Sequence, residues 1–169
     1  IEMHHKNVES ASHGDNVGVN VKNLKKENMP HVGDIMTLVD DNVGKSVLSF
    51  KAVVSVQDHP GQLFSAQKAG KGGFTPSVHV RTTKSPCRLE KIHWKMGKST
   101  GGTRLENPEY LEQGDQAEVI FRPKMPIYLE SFEKCEGLGR IAAMDSNTLV
   151  MLGKVSEVAL KGEDSLFNL

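Results

Sequence analysis

Residues 49–57 read SFKAVVSVQ. Phe50, Ala52, Val54 and Val56 alternate with Ser49, Lys51, Val53, Ser55 and Gln57, and β-branched side chains crowd the run. This is the period-two pattern of a strand with one face in a core. The same reading extends outward on both sides. Val17, Val19 and Val21 alternate with Gly18, Asn20 and Lys22; Val78, Val80 and Thr82 alternate with His79 and Arg81. Leu89–Trp94, Ala117–Phe121, Ile127–Phe132, Arg140–Met144 and Thr148–Val158 carry the same signal. Turn-forming clusters separate the runs: His13-Gly14-Asp15-Asn16, His59-Pro60-Gly61, Gly70 to Gly73, Gly101-Gly102, Gln113-Gly114-Asp115 and Gly137 to Gly139. Helix is scarce, with single turns expected at Leu24–Met29 and Pro108–Glu112. Many short strands with frequent turns predict an all-β, antiparallel barrel or sandwich.

Composition bounds what such a protein does. The chain has 169 residues, 37% hydrophobic and 25% charged, enough for a packed core. Twenty-one basic residues balance twenty-one acidic ones, so no uniform basic coat exists, although a local basic patch is compatible with zero net charge. No continuous apolar window approaches 18 residues, so a membrane span is not expected, and no basic-then-apolar leader opens the chain. Cys87 and Cys135 belong to no C-x-x-C pair, so free thiols and no metal site are expected.

The composition shifts between Pro30 and Lys45, where Pro30, Gly33, Asp40, Asp41 and Gly44 cluster. Residues 1–38 are therefore read as one β unit, 39–46 as a linker, 47–160 as a second unit and 161–169 as a tail. The second unit carries about seven strand segments, sufficient to close a small barrel. The first carries two or three, too few to fold alone, so its remaining strands are expected upstream of Ile1.

Charge is unevenly placed. Arg81, Lys84, Arg88, Lys91, Lys95 and Lys98 lie within 18 residues that hold one acid, Glu90; the next stretch carries Glu106, Glu109, Glu112, Asp115 and Glu118 against Arg104. The basic run is a candidate polyanion contact or a solvated face. Gly97-Lys98-Ser99-Thr100 resembles the end of a phosphate-binding loop. It lacks the upstream glycine, because position 92 is Ile, and no helical pattern follows, so no nucleotide site is expected here. His4 and His5 adjoin in a strand-like run, where neighbours face opposite ways and cannot share a metal. Asp58-His59-Pro60-Gly61 suits a type II turn. No nucleophile elbow or placed acid pair appears, so no catalytic residue is assigned; the residues read as a binding module.

Two groups of residues then carry a resemblance. Ile1-Glu2-Met3-His4-His5 followed by His13-Gly14-Asp15-Asn16-Val17-Gly18-Val19-Asn20-Val21-Lys22-Asn23 resembles the end of the second domain of elongation factor one-alpha and elongation factor Tu. Asp58-His59-Pro60-Gly61-Gln62, Gly114-Asp115, Tyr128-Leu129-Glu130-Ser131-Phe132 and Gly137-Leu138-Gly139-Arg140 follow in the order of the third domain. Phe74–Lys98 and Met144–Lys154 look more like the divergent elongation-factor-like proteins of scattered unicellular eukaryotes.

The resemblance implies the C-terminal part of a three-part translational GTPase: the end of a second β-barrel, which binds the tRNA 3′ end, and a complete third β-barrel. It implies a cytoplasmic monomer that carries aminoacyl-tRNA to the ribosome and meets a guanine-nucleotide exchange factor. GTP and magnesium would be used by the parent protein upstream, with no cofactor held in this part. Carried over residue by residue, Glu2, His4, His5 and Asn16 would receive the aminoacylated end. Arg81, Thr82, Thr83, Lys84 and Arg140 would meet the tRNA stem, joined by Arg88, Lys91, Lys95 and Lys98. Met144, Asn147 and Glu118 depart from basic positions of the family. The competing readings are a related carrier of the release-factor or ribosome-rescue type, and a non-catalytic β-barrel RNA-binding or scaffold protein.

Overall fold

The computed structural model describes residues 1–41, 45–69 and 72–160; the expected tail at 161–169 and residues 42–44 of the expected linker lie outside them. The chain forms two compact units that divide at His31/Val32. The first holds a hairpin, β1 (Glu2–Met3) and β2 (Lys6–Asn7), and one 3-10 turn at Lys26–Asn28, within the single turn expected at Leu24–Met29. Val17–Val21, expected as a strand, is not one. Only Gly18 bridges, to Glu2, and Val19 and Val21 are exposed. Alternation makes a strand only where a neighbouring strand takes up the backbone N–H and C=O groups.

The second unit is built on β3 (Val47–Val56), β4 (Leu63–Phe64), β5 (Ser77–Val80), β6 (Thr83–Met96), β7 (Leu105–Glu106), β8 (Tyr110–Leu111), β9 (Gln116–Pro123), β10 (Arg140–Asp145) and β11 (Thr148–Leu160). Single helical turns α1 (Ala66–Ala69) and α2 (Glu136–Gly139) intervene. The order β5-β10-β11-β3-β9-β6, with β6 paired back to β5, closes a six-stranded antiparallel barrel; β7 adds to β6, and β4 pairs β8 in a small separate sheet. Register traced around the ring runs Lys84, His79, Ala142, Leu152, Ser55, Gln116, Met96. It returns to β6 at a later residue than it left, the stagger that closing a tilted sheet demands.

The central strand behaves as its alternation dictates. Phe50, Ala52, Val54 and Val56 are buried, and Phe50, Ala52 and Val54 lie opposite Phe121, Val119 and Ala117 of β9. Phe50 and Phe121 pack with ring centroids 5.5 Å apart. Six barrel strands, not seven segments, close the ring, because Ile127–Phe132 is not a strand. Ile127 and Leu129 are buried in the barrel core, but the backbone of this segment bonds piecemeal: Ile127 O accepts from Val47 N, Glu130 N donates to Leu138 O, and Phe132 N donates to Val155 O. Pro108–Glu112, expected to be helical, instead supplies β8. Gly61 does not have the positive φ that a type II turn needs; its N–H donates to His59 Nδ1 over 3.0 Å, and the His59 ring packs edge-on against Phe74.

Candidate nucleic-acid interface

Glu2, His4 and His5 come together on the β1–β2 hairpin. Met3 pairs with Lys6, so His4 and His5 are its two turn residues, both in the left-handed region with φ of 49° and 61°. This corrects the strand reading: the histidines project from a tight turn whose twist suits a hairpin. His5 Nδ1 lies 3.7 Å from Glu2 Oε1, with both side chains in solvent. Glu2 exchanges backbone hydrogen bonds with Gly18, 2.8 Å and 2.7 Å, which draws the segment carrying Asn16 alongside. Asn16 is exposed.

The basic run of β6 does not form one face. Two β-bulges, between Leu89 and Lys91 and between Ile92 and Trp94, each reverse which residues point inward. Ser85, Cys87 and Leu89 are buried ahead of the first bulge, Ile92 between the two and Lys95 beyond the second. Lys84, Arg88 and Lys91 therefore reach the outer face and Lys95 does not. Lys95 is 4% exposed; its Nζ lies 3.2 Å from Asp115 Oδ2 and 4.4 Å from the centre of the Tyr110 ring. Its expected place on the tRNA stem is corrected: it is an internal ion pair. Arg88 faces Arg122 across the ladder, and both guanidinium groups flank the nearly buried carboxylate of Glu90, at 2.5 Å and 3.3 Å. Lys98 sits past the far end of β6 in the 3-10 turn Lys98–Thr100, where the Thr100 hydroxyl bonds the backbone of its own Gly97. That turn does not fit the strand–loop–helix cradle of a nucleotide phosphate.

Arg81, Thr82, Thr83 and Lys84 form the β5–β6 hairpin, with Val80 paired to Thr83 around the turn. Arg81 has φ of 53°. Its guanidinium lies against Gly137 of α2, where an added Cβ would stand 2.4 Å from Nη2. Strand β10 pairs with β5 at Ala142–His79, and two residues further that register sets Arg140 level with Arg81. Arg140 pairs with Glu136 of α2, and its guanidinium lies 5.4 Å from the centre of the Phe132 ring. Lys154, opposite Arg140 on β11, places its Nζ 4.3 Å from the same ring. Thus Arg81, Arg140 and Lys154 gather around α2, and Lys84 lies opposite His79 at the start of β6.

Sequence reasoning did not assign Lys154. The β10–β11 turn at Ser146-Asn147, with φ of 48° and 78°, is legible as a two-residue hairpin, and simple counting from Asp145–Thr148 pairs Arg140 with Gly153. A bulge at Ala143/Met144 moves the partner to Lys154. Asn147, read as a lost basic residue, supplies that turn.

Two titrations are displaced. Burial pushes the Cys87 thiol up to about 12, partly offset by its hydrogen bond to Ser85. His93, the extra residue of the second bulge, is held below its usual value, first by desolvation, and its buried Nε2 has no hydrogen-bond partner among the described residues. Both cysteines are free.

The profile of the GTP-eEF1A C-terminal domain-like family matches residues 49–156. Elongation factor 1-alpha of Halobacterium salinarum is 36% identical over 158 residues, covering 94% of this chain and 35% of that protein. Elongation factor 1-alpha of Tetrahymena pyriformis is 31% identical over 161 residues, 95% of this chain and 35% of the relative. The chain thus spans about a third of the length of the curated relatives it matches. The crystal structure of sup35 complexed with GDP superposes with a TM-score of 0.59 at 20% identity over 72% of this chain and 28% of that one, which is a likeness of fold. With its barrel matched from β3 into β11, this chain belongs to the GTP-eEF1A C-terminal domain family.

Proposed function

We propose that this chain is the tRNA-binding β part of a translation elongation factor that delivers aminoacyl-tRNA to the ribosomal A site, dependent on GTP. The observation that carries the reading is the gathering of Arg81, Arg140 and Lys154 around α2, with Lys84 on the same hairpin as Arg81, on a barrel of this family. Four cations on one end of a barrel suit the phosphate backbone of an RNA stem. The hairpin with Glu2, His4 and His5, flanked by Asn16, offers a carboxylate, two rings and an amide. These suit the amine, carbonyl and adenine of an aminoacylated 3′ end. GTP and magnesium act, in this proposal, in the portion of the parent outside this chain, which also meets the ribosome and an exchange factor in the cytoplasm. Among the described residues no helix is long and apolar enough to cross a membrane.

The test is binding of aminoacylated and deacylated tRNA, by fluorescence titration across a salt series. Asn16→Ala is expected to reduce discrimination between the two about tenfold, the scale of a lost specific hydrogen bond to the ester end. A chain that binds neither tRNA overturns the proposal. One that binds both equally, with Asn16→Ala silent, points to a non-catalytic β-barrel RNA-binding protein.

A further inference from the structure

Thr83 stands in the middle of the basic hairpin, yet its hydroxyl points elsewhere. Its Oγ1 donates to the carbonyl of Gly33 over 2.7 Å. A threonine hydroxyl has one proton, so once it is given to Gly33 none remains for a phosphate oxygen. Thr83 is therefore not placed as a stem contact. Gly33 shows the complementary requirement. Its φ is +99°, and an added Cβ would stand 1.9 Å from Thr83 Oγ1 and 3.0 Å from Thr83 Cα. Only a residue without a side chain lets the lead-in segment lie this close to the hairpin. Gly33, Asp34 and Ile35 then run along a cleft of about 220 Å³ whose other wall includes Arg81 and Thr82.

We propose that Thr83 and Gly33 form a latch: Thr83 is a positioning residue that fastens the chain leading into the barrel onto the β5–β6 hairpin, and so holds Arg81 and Lys84 in their binding arrangement. The proposal rests on the tRNA reading for its consequence, but the latch itself is tested without RNA. It makes the conformation of residues 32–36 a determinant of stem affinity, so a change in the path of that segment regulates the hairpin.

The experiment compares Thr83→Val, Thr83→Ser, Gly33→Ala, the double variant Thr83→Val/Gly33→Ala and Arg81→Ala in the 169-residue chain. Hydrogen exchange by mass spectrometry reads residues 32–36 and 79–85, and tRNA affinity is measured across salt. Thr83→Val and Gly33→Ala should each speed exchange in both segments and weaken tRNA binding about fivefold, the effect of one lost hydrogen bond. The salt slope should not change, because no phosphate contact is removed. The double variant should be no worse than either single one, since both break the same bond. Thr83→Ser, which keeps the hydroxyl, should restore native exchange and affinity. Native exchange in Thr83→Val, or native affinity in Gly33→Ala while Thr83→Val weakens binding, overturns the latch and returns Thr83 to the stem contacts. If Arg81→Ala also leaves affinity untouched, the tRNA reading fails instead, and the exchange data alone judge the latch.

Discussion

Replacing Lys95 by methionine separates the two roles that a lysine in the basic run can have. The Lys95 and Asp115 side chains are 5% and 2% exposed, and Nζ lies 3.2 Å from Oδ2. At an effective dielectric constant of about 20, that separation corresponds to about 5 kcal/mol of attraction, set against the cost of desolvating both ions. Lys95→Met keeps most of the volume but leaves the Asp115 carboxylate buried with the Glu112 N–H as its remaining close donor, at 2.9 Å. Removing one partner of a buried pair costs about 3–5 kcal/mol. With a urea m-value of about 1.5–2 kcal/mol/M for a barrel of this size, the unfolding midpoint should fall by about 2 M. Adding Asp115→Asn removes the stranded charge and keeps an acceptor for Glu112, so the double variant should recover about half of the loss or more. The assay is urea unfolding followed by circular dichroism, beside tRNA affinity at several salt concentrations below the transition. A Lys95→Met protein with native stability and a salt slope reduced by about one unit would refute the reasoning, because that is the signature of an exposed phosphate contact.

Three further outcomes follow from the same geometry. Arg81→Ala, Lys84→Ala and Lys154→Ala should each lower the salt slope of tRNA binding by about one unit and weaken charged and uncharged tRNA alike; unchanged slopes for all three would make this end of the barrel a solvated face. Phe121→Ala removes a fully buried ring from its 5.5 Å packing with Phe50 and should cost about 3–5 kcal/mol in urea unfolding. Cys87 gives the barrel a pH dependence: burial pushes its native thiol up to about 12, whereas in the unfolded chain it ionises at its ordinary value of 9.0. Its contribution is complete below pH 9 and is lost as pH rises toward 12, because only the unfolded state releases the proton there. Cys87→Ala should flatten that part of the stability–pH curve, and an unaltered curve would count against the burial.

Strand β3 was legible because its alternation, its burial and its ladder agree residue by residue from Phe50 to Val56. The buried anchors Ile127 and Leu129 were legible as apolar positions but not as irregular backbone. Nothing in the spacing of side chains reveals that Val47, Leu138 and Val155 divide the hydrogen bonds of that segment among them. The hairpin at Arg81-Thr82-Thr83-Lys84 was hidden, because Thr82 carries on the alternation of Val78 and Val80, although Arg81 and Thr82 form the turn between β5 and β6. The rest of the basic site was hidden as well, and the reason there is the bulge. Counting by twos along β6 puts Lys91 and Lys95 on the face of Cys87 and Leu89. The first bulge turns Lys91 outward; the second cancels the first, so Lys95 returns to the inward face that counting gives it and meets Asp115. A third bulge, with Val150 of β11 as its extra residue opposite Ala143/Met144, exchanges Gly153 for Lys154 as the neighbour of Arg140. A bulge inserts one residue without changing composition or local hydrophobicity, so each leaves almost no mark on the sequence and yet reverses the facing of every residue beyond it. In a chain with no net charge, the placement of a few bulges therefore decides which cations reach the surface together, and with it where a polyanion can bind.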